Sequence, residues 1–207
     1  MGVNMKYAAL LILLACTSLL SIGQTLRSPP GKAKCILTRT QSPEIRGIRL
    51  GMAPDELLAV YPEDVNRLKI SEAIKESKRA INFGVGRFDL QPDRENPNPR
   101  FKGVNYITIE LLDERVTSFH IAYAGPQWST ADEFVEKLSE ALHLPRESWE
   151  GGGGNSQSLK CDGFVVNAYA SSDTAQNWVQ VHDTSTPQVV EDRRQLAKEK
   201  ERQAFRP

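Results

Sequence analysis

Two dipeptides bring together residue types that could support nucleophilic or metal chemistry. Cys161-Asp162 and His182-Asp183 lie on opposite sides of a predicted hairpin. A cysteine with a histidine can act as a nucleophile with its base, and a Cys/His/Asp set can ligate a metal. Convergence of these four side chains would make the chain a hydrolase or a metal-binding protein, which is the alternative interpretation. We predict no catalytic residue, metal ligand or cofactor.

The three cysteines decide how Cys161 is interpreted. Cys16 lies in the N-terminal apolar stretch, which leaves Cys35 and Cys161 for the folded chain. In an oxidising compartment such a pair is a disulfide candidate, and two separately buried free thiols are the other interpretation. The bridge would close a loop of 125 intervening residues (36 to 160), worth on the order of 4 to 5 kcal/mol in the chain-entropy model. We expect the disulfide, because the polar KAKCILT stretch would bury a free Cys35 poorly.

The first residues, MGVNMKYAALLILLACTSLLSIGQ, indicate export. One lysine precedes a short apolar run, which is the layout of a secretory signal peptide. The run is shorter than the roughly 20 residues that span a bilayer, so no transmembrane span is predicted in the mature chain. We expect residues 1–23 to be removed and the protein to be periplasmic or secreted. The Leu-Leu-Ala-Cys sequence ending at Cys16 resembles a lipobox, so a lipid anchor in the bacterial envelope is the alternative.

Aromatic and amide residues of the second predicted hairpin are the best material for a binding surface. Strand alternation places Tyr169 and Trp178 on the face opposite the main apolar set, together with Asn167, Gln180 and His182. An aromatic and polar mixture on an exposed sheet face suits a protein or peptide partner. The competing interpretation is that the last helix covers these aromatics.

The elements that position these residues follow an α+β order. Helices are predicted from Pro54, within 64–80, from Thr130 and from Thr186. Strands are predicted in four places: a short strand at 45–50, one strand within 81–90, and hairpins at 104–123 and 159–183. GGGGNSQS at 151–158 is expected to be a flexible connection. Helix followed by hairpin occurs twice, which suggests a repeat and predicts an antiparallel sheet with helices packed on one face.

The first hairpin carries a register prediction. Its apolar residues share one face of each strand: Ile107, Ile109 and Leu111, then Phe119, Ile121 and Tyr123. The two sets lie on the same side only if paired residue numbers sum to an even number, which predicts the odd-numbered loop Asp113-Glu114-Arg115. His120 alternates with the apolar set and is expected on the solvated face with Thr108 and Glu110.

Composition bounds the domain count and the partners. The 207 residues are 40% hydrophobic with a formal net charge of zero, so one domain with a core is expected, and no nucleic-acid partner is predicted because no net field attracts one. Residues 45–185 are expected to form the α+β domain, between a linker at 24–44 and a charged C-terminal helix at 186–207. The oligomeric state is not predicted.

The stretch GIRLGMAPDELLAVYP at 47–62 resembles the opening motif of the SmpA/OmlA (BamE-like) small envelope lipoproteins and of the β-lactamase-inhibitor-protein repeat. Gly51, Met52, Leu57 and Pro62 match that motif, whereas Ala53 stands where a capping Thr or Ser is usual. The resemblance implies helices on a small antiparallel sheet and an envelope location. The resemblance carries no partner or activity to this chain. The predicted signal peptide, the helix-plus-hairpin order and the lack of a reactive constellation together predict an exported, non-enzymatic binding or scaffold domain of the cell envelope. We expect its aromatic sheet face to hold a protein partner, such as an envelope protein.

Overall fold

The computed structural model of the chain describes residues 33–90, 92, 98–125, 128–151, 154–171 and 176–205. The predicted signal peptide, its cleavage site and Cys16 lie outside these residues. In chain order the helices and strands are α1 Pro54–Val60, α2 Asp64–Ser77, β1 Val85–Leu90, β2 Val104–Leu112, β3 Arg115–Tyr123, α3 Ala131–Leu142, β4 Trp149–Gly151, β5 Ser156–Lys160, β6 Phe164–Ser171, β7 Gln176–Asp183 and α4 Thr186–Ala204.

The strands form one seven-stranded antiparallel sheet in the order β1-β2-β3-β7-β6-β5-β4. Two meanders meet at the β3–β7 pair, and each meander follows a helix. Helix α2 packs on β1 and β2, and α3 packs on β5 and β6. The predicted α+β class, an antiparallel sheet with helices on one face, is confirmed.

The core lies between that face of the sheet and the helices. Alternate residues of the central strands are fully buried there, as period-two alternation requires. Helix α3 adds Phe134 and Leu138, and its start at Thr130 is confirmed, since the Thr130 hydroxyl accepts a hydrogen bond from the N–H of Glu133 at 3.3 Å. We call this side of the sheet the covered face and the other side the open face.

The β2–β3 loop has two residues, so the prediction of a three-residue loop was wrong. Leu112 pairs with Arg115, and the intervening Asp113 and Glu114 have φ angles of 50° and 62°. Positive φ at both central residues gives a turn whose twist matches that of the flanking strands. Acidic residues occupy these positions although glycine and asparagine favour them most.

A β-bulge restores the predicted register beyond this turn. Leu111 pairs with Val116, but Glu110 pairs with Ser118, so Thr117 is an extra residue on β3. From Glu110–Ser118 to Tyr106–Ala122 the paired numbers sum to an even value, as predicted, and a second register shift then pairs Val104 with Tyr123. Both apolar sets lie on the covered face. The bulge therefore does what the longer loop was expected to do.

Residues 45–50 do not form the predicted short strand. The chain reverses between Ile45 and Ile48, whose backbone groups bond to each other at 2.9 and 3.0 Å. Arg46 and Gly47 in between have φ angles of 56° and 82°. A left-handed pair of residues closes a tight turn, so the apolar side chains enter the core from a turn instead of a strand.

Strands lie at both ends of the segment 151–158, where the sequence predicted a flexible connection. Strand β4 ends at Gly151, and β5 begins at Ser156, with Trp149 opposite Leu159. Residues 152 and 153 lie outside the described residues. The side chains of Trp149 and Leu159 are buried, and the Trp149 indole donates to the Ser139 hydroxyl at 2.9 Å. Their burial stabilises the pairing of β4 with β5.

Residues 33–42, the N-terminal strap, are attached to the far end of the second meander. The predicted disulfide is present: Cys35 and Cys161 have an S–S distance of 1.99 Å. The carbonyl of Leu37 accepts from the N–H of Asp162 at 2.9 Å. The Arg39 guanidinium lies 2.6 Å from the carboxylate of Asp183, which is 2% exposed. Together these contacts fix the strap to the β5–β6 turn and the end of β7.

Candidate functional site

The predicted reactive quartet does not converge. Cys161 is in the disulfide and has no thiolate to offer. His182 and Asp183 are successive residues of β7, so their side chains leave the sheet on opposite faces, and Asp162 is exposed at the β5–β6 turn. In the part of the chain that the structure describes, no group of three or more His, Cys, Asp or Glu side chains is placed to hold a metal.

The predicted binding residues do share a surface, the open face. On β6 and β7, Asn167 lies opposite Gln180 and Tyr169 lies opposite Trp178, all half-buried, and His182 shares their face. Because β3 pairs with β7, this surface continues onto the first hairpin, where His120 lies opposite Gln180. Residues from both meanders therefore form one surface.

Four rings lie in sequence across this surface, and we call them the aromatic ladder: Tyr106, His120, Trp178 and Tyr169. Their centroids are 5.3 Å apart from Tyr106 to His120, 5.1 Å from His120 to Trp178, and 5.5 Å from Trp178 to Tyr169. The last two rings are nearly parallel, at 8°. Because the small residue Ala122 lies opposite Trp178, the indole has room to reach His120. Ring pairs of this kind contribute about 0.5–1.5 kcal/mol each.

A groove of about 270 Å³ lies beside the ladder, on β1, β2, β3 and β7. Its lining combines the rings of Tyr106 and His120 with the Gln180 amide and the charged pair Arg87 and Glu110, whose nearest atoms are 3.6 Å apart. Neutral hydrogen-bonding groups thus lie between rings on one side and charges on the other. Such a lining can bind peptide amides and apolar side chains together.

A second groove of about 230 Å³ continues the first toward the start of α4. The two grooves share Glu110, Ser118 and Gln180, and the second ends at Thr186 and Pro187. The open face therefore carries one extended depression that runs along the strands from the ladder to α4.

Both histidines of the open face are held neutral. Burial lowers the pKa of His120 below its ordinary value, and the positive charge of Arg87 lowers it further. Burial also lowers the pKa of His182, against the opposing effect of Asp183 and Glu110. A neutral imidazole offers one donor and one acceptor, so at neutral pH both side chains act as hydrogen-bonding groups rather than cations.

Helix α4 packs at the other end of the strands and leaves the ladder uncovered. Arg193 donates to both carboxylate oxygens of Asp113, at 2.9 and 2.6 Å, and to the carbonyl of Phe83 at 2.7 Å. The guanidinium holds the pKa of Asp113 below its usual value. Asp113 lies in the turn at the far end of β2 from Tyr106, and no α4 residue lines the groove beside the ladder.

Two of the four ladder residues could be placed together from the sequence. Tyr169 and Trp178 belong to one hairpin, so strand alternation alone placed them together. His120 was assigned only to a solvated face, because its contact with Trp178 depends on the pairing of β3 with β7. That pairing joins residues that are far apart in sequence, and no local pattern encodes it.

Comparison with known proteins adds no relative: no family model, curated protein or solved structure matches the chain. The resemblance of residues 47–62 to the BamE-like lipoproteins therefore stays a prediction.

Proposed function

We propose that this chain is an exported, non-enzymatic binding or scaffold domain of the cell envelope, and that it holds a protein partner on the open face. The aromatic ladder beside the groove is the observation that carries the proposal. Half-buried rings, neutral amides and a rim of charges are the composition found where proteins bind one another. The described residues that could have formed a reactive cluster, Cys161 and His182 among them, are separated.

The disulfide supports location outside the cytoplasm. Disulfides are stable in oxidising compartments, and Cys35–Cys161 is one. This fits a chain whose first residues have the layout of a signal peptide. Within the described residues, no helix combines the length and the apolar character that crossing a bilayer requires.

The dimensions of the open face suit a short segment of a partner. The ladder spans four neighbouring strands, β2, β3, β7 and β6, so its ends are about 14 Å apart at the usual spacing of about 4.8 Å. About four residues of extended chain cover that distance. We therefore expect the partner to insert one short segment, anchored by an aromatic or aliphatic side chain against Trp178.

Photo-cross-linking in the native host tests the proposal. Benzoylphenylalanine at Tyr106, which is 46% exposed, puts the reactive group at one end of the ladder. The matched control carries the same group at Leu68, which is 66% exposed on α2, on the opposite side of the sheet. We expect position 106 to form a discrete protein adduct that position 68 does not form.

The adduct must then depend on the ladder. Once the partner is identified and purified, Trp178→Ala should weaken its binding by at least about tenfold, because central aromatic anchors dominate interfaces. No protein adduct at position 106, or equal binding by the Trp178→Ala variant, would refute binding at the ladder.

A further inference from the structure

The free edge of β1 is a second surface with a definite geometry. β1 is the outermost strand of the sheet, and no strand in the described residues pairs with its outer side. The other outermost strand, β4, has only three residues, whereas β1 has six. A six-residue edge is long enough to accept another strand, since strands of about five to six residues are the commonest in proteins.

The backbone register fixes which groups that edge presents. The N–H of Asp113 donates to the carbonyl of Gly84 at 3.1 Å, one step before Val85 pairs with Leu112. Hydrogen-bonded pairs alternate along an antiparallel ladder, so every second residue of β1 turns its N–H and C=O away from β2. The residues whose backbone N–H and C=O groups point away from β2, toward the free edge, are Val85, Arg87 and Asp89.

Helix α2 packs on the covered face of β1, beside this edge. A Cβ at Gly86 would lie 2.3 Å from the carbonyl oxygen of Ala73, so only glycine lets the helix approach β1 this closely. A groove of about 280 Å³ lies between Glu72 and Glu76 of the helix and the outer side of β1. An edge strand beside a helix, with a groove between them, is the arrangement into which peptides add as an extra strand.

The charges of the groove specify the peptide. Three carboxylates, those of Glu72, Glu76 and Asp89, line it against the two cations Lys69 and Arg87. Glu76 pairs with Arg79 at 2.9 Å and Arg87 lies 3.6 Å from Glu110. Glu72, Asp89 and Lys69 have no ion pair with any residue that the structure describes, which leaves two carboxylates against one ammonium group. One oxygen of Asp89 accepts a hydrogen bond from the Thr108 hydroxyl at 2.7 Å.

We propose that a protein partner adds a basic, extended segment to β1 as an eighth strand. Glu72 lies on the helix side of the groove, and Asp89 points to the open-face side. Successive side chains of an added strand point to opposite faces, so adjacent basic residues can meet both carboxylates. The backbone of the segment would bond to the outward groups of Arg87 and its alternate neighbours. This docking edge contains none of the four rings of the aromatic ladder, although Arg87 lines both the groove at the edge and the groove beside the ladder.

A proline substitution separates strand addition from simple charge attraction. The N–H of Arg87 points away from β2. Arg87→Pro therefore keeps the backbone hydrogen bonds between β1 and β2 but removes a donor that an added strand needs. Arg87→Ala is the matched control, because it removes the same side chain and keeps the donor. The probe is a fluorescent peptide of about nine residues, made of Val and Thr around adjacent Arg-Lys pairs. The control peptide has the same sequence with Glu in place of Arg and Lys.

We expect the basic peptide to bind the Arg87→Ala variant at least about tenfold more tightly than the Arg87→Pro variant. Glu72→Lys, a change at an exposed helix position, should weaken binding in either background. Amide hydrogen exchange on the unaltered protein should show new protection at Val85, Arg87 and Asp89 in the complex. No binding of the basic peptide, equal binding by the two Arg87 variants, equal binding of the acidic peptide, or unchanged exchange at those three amides would each overturn the proposal.

Discussion

The covered face and the open face of the sheet differ in how deeply their side chains are buried and in what those side chains contact. On β3, Phe119 is fully buried on the covered face, while the next residue, His120, is half-buried between the rings of Tyr106 and Trp178 on the open face. The same backbone serves both side chains. The contrast shows that alternation along a strand separates residues that stabilise the fold from residues that are available to a partner.

The open face shows a second contrast, between its two ends. The β3–β7 pair lies at the centre of two meanders, and the element order around it is similar on both sides. Yet rings fill one end of the face, and His182 with the first turn of α4 occupies the other. A similar order of elements on the two sides therefore does not imply two copies of one site.

The largest test of the difference between the faces is a pair of neighbouring substitutions. Phe119→Ala should lower the free energy of unfolding by about 3–5 kcal/mol, because it leaves a cavity in the core. His120→Ala removes two ring contacts and should lower the free energy of unfolding by about 1–3 kcal/mol, because each ring pair contributes about 0.5–1.5 kcal/mol. Urea unfolding measures both. Equal losses would mean that the open face is as important for stability as the covered face.

Removal of the disulfide should give the next largest loss. Replacing both Cys35 and Cys161 with serine should destabilise the oxidised protein by about 2–5 kcal/mol, because the bridge constrains a long loop of the unfolded chain. Ile36→Ser is the control, since Ile36 lies in the same strap and is 85% exposed. If the double variant unfolds at the same urea concentration as the control, the disulfide does not contribute to the stability of the domain.

A glycine on the covered face of β1 tests how closely α2 must pack. Gly86→Ala forces a methyl group against the carbonyl of Ala73 and should cost about 1–3 kcal/mol, measured as a shift of the urea midpoint. Gly151→Ala is the matched strand control, because the nearest atom to its added Cβ is 3.8 Å away. A loss at Gly151 as large as at Gly86 would show that strand glycines matter here for reasons other than the helix contact.

What the sequence predicts follows from the range of each interaction. Helix starts at Pro54 and Thr130, and the covered and open faces of each hairpin, come from patterns within a few residues, and they agree with the structure. A two-residue turn followed by a bulge at Thr117 gives the same pairing parity as a three-residue loop. The parity rule alone therefore could not choose between the two arrangements. Strand β5 was missed because SQSLK has one apolar residue, and its order depends on burial beside Trp149.

The candidate site follows the same logic over longer distances. The cysteine pairing could be predicted because there were only two cysteines to pair outside the N-terminal apolar stretch. The binding residues on β6 and β7 could be placed on one face because a single hairpin holds them. The ladder and the groove needed the β3–β7 pairing, since they join side chains from both meanders. Long-range pairing is the information that the local patterns did not contain.

The smallest effect expected is a pH dependence confined to the open face. His120 and His182 have folded-state pKa values below the ordinary value of 6.5. The unfolded chain therefore binds more protons than the folded chain as the pH falls below about 6.5. The stability that the neutral imidazoles contribute is complete above that pH and is lost as the pH falls through the folded-state pKa values. Replacing both with glutamine should make the urea midpoint less sensitive to pH between about 7.5 and 5. Tyr106→Phe is the control, because it leaves both imidazoles in place and should keep the original pH dependence. If the urea midpoint of the double glutamine variant depends on pH as strongly as that of the unaltered protein, other groups account for the pH dependence.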